Sequence, residues 1–286
     1  MNSLFQKLQY KFNYATIVER IIYITIAVFI FTFVIEAIAS LIQVEGNPIF
    51  DWFSLPTSFQ DFIVKPWTIV TYGFLHGGFW HILFNLLILY YFGNLFLDFF
   101  SKRDFLIYYF AGIIAGGIVY ILSYNYFPAL KNTSTTLVGA SAGVTAIVIG
   151  IATKIPNYAM HFRFIGAVKL WYIAVGLIVL DIIQIPISNT GGHLSHLGGA
   201  ITGWLLTTYF SSGKKSSKNS VFSSFFKSKK QGPLKTVYKK QQSVTGNKID
   251  EVQQQKIDKI LDKISKSGYD ALTKEEKDFL FSVGKK

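Results

Sequence analysis

Apolar residues in this chain come in long unbroken runs, with polar positions gathered at their ends rather than alternating within them. Read against turn signals, the runs predict six helices, at roughly 21–43, 80–100, 104–124, 139–155, 166–185 and 194–210. A helix rises about 1.5 Å per residue, so crossing about 30 Å of hydrocarbon takes about 20 apolar residues. The fourth and sixth runs are short for that task and rich in Gly and Ala. Small residues spaced along one face let helix backbones approach closely inside a membrane. Gly112 with Gly116, Gly139 with Gly143 and Gly150, and Gly199 with Gly203 supply such faces on the third, fourth and sixth helices. The expected fold class is therefore an all-α membrane protein, a compact bundle of six transmembrane helices. The first run is longer than the h-region of a signal peptide, so a retained span is expected there.

The connection at about 44–79 is long for a structureless loop. Its Trp52, Phe53, Phe59, Phe62 and Trp67 suit a membrane interface, and it is expected to be partly helical. Beyond the last run, 211–245 is rich in Ser, Lys and Gln and reads as a basic disordered linker. Residues 246–286 read as a small helical region. Apolar positions Ile249, Val252, Ile257, Ile260, Leu261 and Ile264 fit an amphipathic helix, and Thr273 to Glu276 forms a capping box before a second one. The division is thus an N-terminal segment 1–20, a membrane domain 21–210, a linker and a C-terminal region.

Charge orients the bundle. Lys7, Lys11 and Arg20 precede the first helix, Lys102 and Arg103 separate the second from the third, and Lys154, Arg163 and Lys169 surround the fourth-to-fifth connection. The alternate connections hold only Lys65 and Lys131. By the positive-inside rule both termini are expected in the cytoplasm. Nine lysines and no acid between Lys214 and Lys240 account for much of the formal charge of +12. Such a tail suits anionic headgroups, and no nucleic-acid motif accompanies it. With 51% hydrophobic and only 15% charged residues, a water-facing surface over the first two hundred positions is excluded. Without cysteine, disulfides, thiolate chemistry and Cys-ligated metals are excluded too.

With the helices alternating in direction, the second, fourth and sixth begin at the same face. Their first turns carry His81 and Asn85, Ser141, and His196. Serine beside histidine is the smallest unit of nucleophilic catalysis: imidazole takes the hydroxyl proton during attack on a carbonyl and returns it to the leaving amine. The tetrahedral oxyanion needs donors already in place, and His81, Asn85 and the Ser141 N–H could serve. Blander readings exist for each. A membrane serine often bonds the carbonyl four residues back, a histidine can pack at the interface, and His81 with Asn85 could be a capping pair. Ser195 competes as nucleophile, but neighbours on a helix do not face each other, so it is not expected to meet His196. Glu36 and Asp181 are expected to reach the interface or cap loop donors, with a relay role as the alternative.

The stretch from His76-Gly77-Gly78 through His81 to Asn85, the Gly139-Ala140-Ser141 triplet, and His196-Leu197-Gly198-Gly199 through Gly203 resemble, in order, the three signatures of the rhomboid intramembrane proteases. The resemblance covers about residues 20–210. It implies a bacterial-type rhomboid serine endopeptidase that cleaves in or beside transmembrane segments of membrane proteins. The implied roles are Ser141 as nucleophile, His196 as base in a dyad without aspartate, His81 and Asn85 as oxyanion stabilisers, and His76 in structure or hydration. No metal or cofactor is implied, and a bacterial inner membrane is. The segment around Gly268 to Thr273 resembles an appendage found on some bacterial rhomboids. Ala142 and Thr145 depart from a glycine and an aromatic frequent in the family, and Trp67-Thr68 replaces a Trp-Arg pair. The alternatives are a catalytically silent rhomboid-like protein that binds membrane proteins, and a transporter, for which no internal repeat is seen.

Overall fold

The computed structural model describes residues 4–43, 46–131, 133–163, 165–211 and 248–283. The chain divides into two compact units, Met1–Ser217 and Lys218–Lys286.

In the first unit, α1 (Leu4–Tyr14) leads into α2 (Ile17–Leu41), whose start is fixed by a capping box: Glu19 N–H donates to Thr16 Oγ1 and Thr16 N–H to Glu19 Oε2. The helix therefore begins ahead of its apolar run at 21. Three short helices follow in the first long connection, α3 (Pro48–Phe53), α4 (Phe59–Val64) and α5 (Thr68–Thr71), so the aromatic-rich stretch is indeed partly helical. Its rings hold one another: Trp52 and Trp67 stack at 6.2 Å, the Trp67 indole N–H donates to the Trp52 carbonyl, and Lys65 lies over the Trp52 ring. Then come α6 (Phe79–Phe99), α7 (Lys102–Tyr126), α8 (Ser141–Lys154), α9 (Leu170–Gln184) and α10 (Thr190–Ser211).

Among the described residues α2, α6 and α7 are long and apolar enough to cross a membrane, and α8 and α9 are shorter apolar helices. Two small ladders join the connections. Strand β1 (Leu55–Pro56) pairs antiparallel with β2 (Thr136–Leu137), and β3 (Ala159–Phe162) with β4 (Gly166–Lys169). Residues 166–169, expected in the fifth helix, are thus a strand. The reason is local: Gly166 takes φ +84°, which turns the chain back into a hairpin and delays the helix to Leu170.

Helix α7 forms the core. Its Phe105, Tyr108, Tyr109, Ile113 and Tyr120 are almost fully buried, and α8 and α10 pack against it. Two hydrogen bonds lock these layers: the Tyr108 hydroxyl meets Thr207 Oγ1 of α10, and Thr207 donates to the Gly150 carbonyl of α8. Helix α8 is buried along most of its length. Its contact with α10 is a backbone contact. A Cβ on Gly199 or Gly203 would collide with the carbonyl oxygens of Ala142 and Ala146. The small-residue faces read from the sequence are therefore seams at Gly112, Gly116, Gly143, Gly150, Gly199 and Gly203, whereas Gly139 lies in the turn ahead of α8.

In the second unit, α11 (Lys248–Ser267) and α12 (Lys274–Val283) form a helix pair. Glu276 is both the reciprocal partner of Thr273 in the capping box and the ion-pair partner of Lys263, at 2.8 Å. Ile260 and Leu272 are its buried apolar contacts among the residues described. The linker reading, 211–245, lies outside the described residues except for Ser211, which ends α10.

Candidate active site

The nucleophile candidate sits on a shaped turn. Strand β2 is held to β1, and the chain then reaches Gly139 at φ +123°, a region that L side chains rarely adopt. Gly139 N–H donates to the Tyr72 carbonyl, and Ala140 N–H to His76 Nε2 at 3.4 Å. With both preceding amides taken, Ser141 opens α8. The first N–H groups of that helix have no carbonyl one turn behind them. Helix α8 has 14 residues, so it is about 21 Å long and cannot cross about 30 Å of hydrocarbon. One of its ends must lie at hydrocarbon depth, a position open to it because it is enclosed by protein.

His196 lies in the second turn of α10. Its Nε2 is 2.7 Å from Ser141 Oγ, and its Nδ1 is 2.8 Å from Oδ1 of Asp181, near the end of α9. His193 Nδ1 reaches the same oxygen, also at 2.8 Å. These contacts fix the protons. An ionised carboxylate only accepts, so each Nδ1 is the N–H donor. In the neutral imidazole His196 Nε2 is then the acceptor, and the Ser141 hydroxyl donates to it. That is the arrangement in which the imidazole can remove the hydroxyl proton.

The other sequence-predicted residues gather around the same turn. His81, on the first turn of α6, comes so close to Gly139 that a Cβ there would lie 2.6 Å from its Nε2 and 3.6 Å from Ser141 Oγ. Asn85, one turn further, is buried, and its amide donates one N–H to the His81 carbonyl at 2.9 Å, leaving a second donor. The rings of His76 and His81 meet edge to face at 4.9 Å. His76 lies in the connection ahead of α6. Burial first, then the neighbouring His81, lowers its pKa to about 3, so it is neutral and can accept the Ala140 N–H.

Ser195 is buried against α7, so close to Gly116 that a Cβ there would lie 2.6 Å from its Oγ. It is turned away from His196, as helix geometry requires. The Ala142 methyl finds room against the same Gly116, which lacks the side chain that would meet it.

Of the two expectations for acids in the helices, one holds and one changes. Glu36 does reach a loop donor, the Asn47 amide at 3.4 Å. Asp181 does not: it faces inward and binds both histidines of α10, so the serine–histidine pair here carries a carboxylate. Reading the sixth helix from 194 hid the partner. The helix begins at Thr190, and His193 and His196, three apart, share a face. The ligand atoms of Asp181, His193 and His196 lie within 4.8 Å of one another. A metal there would need both Nδ1 atoms unprotonated, which their bonds to Asp181 oppose.

Residues 64–213 match the Rhomboid domain, and residues 247–285 match a family of unknown function. A RHOMBOID-like protein 12, mitochondrial, from Arabidopsis thaliana is 29% identical over 144 residues, which is 46% of this chain and 43% of the relative, so this chain spans less than half of that protein's length. The Rhomboid match begins within the long connection that carries His76 and closes just past the end of α10, enclosing every residue of the site described above. The chain is an integral membrane protein of the rhomboid family.

Proposed function

We propose that this chain is a serine endopeptidase hydrolysing peptide bonds in or next to transmembrane segments of membrane proteins. The observation that carries the reading is the 2.7 Å contact between Ser141 Oγ and His196 Nε2. In the first step Ser141 Oγ attacks the scissile carbonyl while His196 takes its proton. The tetrahedral oxyanion is met by the Ser141 N–H at the start of α8 and by His81 and Asn85. His196 then protonates the leaving amine as the C–N bond breaks. A water molecule, deprotonated by the same imidazole, releases the acyl-enzyme. His76 acts structurally, holding the turn through the Ala140 amide. No cofactor enters this chemistry.

The substrate would be a membrane protein whose helix unwinds readily, because a regular helix engages its carbonyls in hydrogen bonds. The basic-residue pattern supports cytoplasmic termini, with the Ser141 end of the bundle toward the opposite face. The membrane is read as a bacterial inner membrane, and the basic tail as a contact for anionic lipid. The test is cleavage of a reporter transmembrane substrate in liposomes, together with labelling by a fluorophosphonate. Wild-type cleavage and labelling at Ser141, both absent from folded Ser141→Ala and His196→Ala variants, are expected. Cleavage that survives Ser141→Ala would overturn the mechanism. A wild type that neither cleaves nor labels would favour a silent relative that binds membrane proteins.

A further inference from the structure

We infer that Asp181 is a positioning residue for this reaction and that His193 is its clamp, so that the working unit is Ser141–His196–Asp181–His193 rather than a serine–histidine pair. The inference rests on the endopeptidase reading above and extends it by two residues.

The placement of Asp181 is the first argument. Along α9, only Leu170 and Asp181 are buried, while Trp171, Tyr172, Val175, Val179, Leu180, Ile182 and Ile183 are exposed. An acid on a helix that otherwise presents apolar side chains outward is expensive unless it is paired and turned inward. Asp181 is turned inward, and both donors it receives come from α10.

The second argument is the geometry of those donors. The two N–H groups converge on the same Oδ1, each at 2.8 Å. One bond alone would leave the carboxylate free to swing about its own axis. Two imidazoles crossing at an interplanar angle of 86° approach that oxygen in different planes and fix its position. The fixed oxygen then fixes the His196 ring, because Nδ1 must keep pointing at it. Nε2, across the ring, stays aimed at Ser141 Oγ.

The third argument is charge. When His196 takes the serine proton it becomes an imidazolium, with positive charge shared between its two nitrogens. A carboxylate on Nδ1 meets that charge without itself accepting a proton. The hydrogen bond from His193 keeps the carboxylate in place through the cycle and demands no proton transfer from His193.

A structural staple between α9 and α10 would produce the same contacts, and kinetics separate the two roles. The experiment uses the full chain in liposomes, with the reporter substrate, a fluorophosphonate and thermal unfolding measured in parallel. Asp181→Asn keeps the shape and an acceptor oxygen but removes the charge. It is expected to lower kcat about 10²-fold or more with KM within about twofold, to slow fluorophosphonate labelling alike, and to leave the unfolding midpoint in place. The small probe matters because its reaction depends on the base and not on docking of a transmembrane helix. Asp181→Glu should recover part of the lost labelling rate. His193→Gln retains an N–H donor and should lose only a few-fold, whereas His193→Phe should lose about tenfold. If Asp181→Asn fails to fold, the two His193 variants carry the test. Labelling by Asp181→Asn within about twofold of the wild type, or by His193→Phe equal to His193→Gln, would overturn the inference and leave the endopeptidase reading standing. A wild type that neither labels nor cleaves would sink that reading, and the inference with it.

Discussion

Gly199 of α10 lies directly over the carbonyl oxygen of Ala142 in α8, too close for any side chain to intervene. Ala142 follows the candidate nucleophile, and Gly199 stands three residues after the candidate base. The register of this seam therefore sets the Ser141–His196 distance. A valine at 199 forces the two helices apart. Overpacking of this kind typically costs about 1–3 kcal/mol, and here it should also abolish fluorophosphonate labelling, because Oγ and Nε2 separate. Gly176→Ala is the control, since a Cβ there meets nothing within 4 Å. Unfolding in detergent and labelling of both variants test the point: a stable, fully labelled Gly199→Val would show that the seam does not set the site.

Gly139→Ala tests the turn ahead of the serine. The added methyl must adopt φ +123° and would stand 2.6 Å from His81 Nε2. Strain of this sort is worth about 1–3 kcal/mol. Cleavage should fall with it, because either the turn or His81 must move. Unchanged cleavage would mean that His81 can withdraw without consequence.

Oxyanion stabilisation predicts a particular kinetic pattern. His81→Ala and Asn85→Ala should each lower kcat by about 10²-fold while KM changes little, since a developing negative charge exists only after attack begins. The contrast with the seam variants is stability: Asn85→Ala loses an amide bonded within its own helix, and its unfolding midpoint should drop by far less than that of Gly199→Val. Large KM effects with intact kcat would assign both residues to substrate binding instead.

The C-terminal helix pair should loosen in acid. The hydrogen bond from Lys263, and then that from the Thr273 amide, hold the Glu276 carboxyl below its usual pKa. A carboxyl depressed on folding contributes stability above its unfolded value of about 4.3 and loses it as pH falls through the folded value. Amide protection over Lys274–Val283, corrected for intrinsic exchange, should therefore be intact at neutral pH and fall below about pH 4. Glu276→Gln should show the reduced protection at every pH. Equal protection of the two proteins at neutral pH would remove the ion pair from the account.

How far this arrangement was legible depended on which physical demand left a mark on the sequence. Hydrocarbon demands apolar length, so α2, α6 and α7 stood out. Close helix contact demands small residues, so the Gly199 and Gly203 seam was visible. The polar turns of three helices, read with alternating direction, brought His81, Asn85, Ser141 and His196 to one end. Three features left no such mark. Two-residue strands have no period, so the β1–β2 ladder was invisible. The β3–β4 hairpin was hidden by its apolar continuity with α9. The inward turn of Asp181 was hidden for a related reason: a helix apolar all round says nothing about its rotation, so neither face of α9 could be preferred. The i, i+3 pair of histidines was the available clue.

Chain order gives the site a birth date. Ser141 and His196 are 55 residues apart, and α9 with Asp181 lies between them. At a synthesis rate of about 5–20 residues per second, a nascent chain carries its serine for roughly 3–11 s before the histidine has even been made. Throughout that interval Ser141 is an ordinary alcohol, without a base. On the endopeptidase reading, competence would arrive only when α10 seats against α7 and α8, and an incompletely inserted copy would leave the membrane proteins around it uncut.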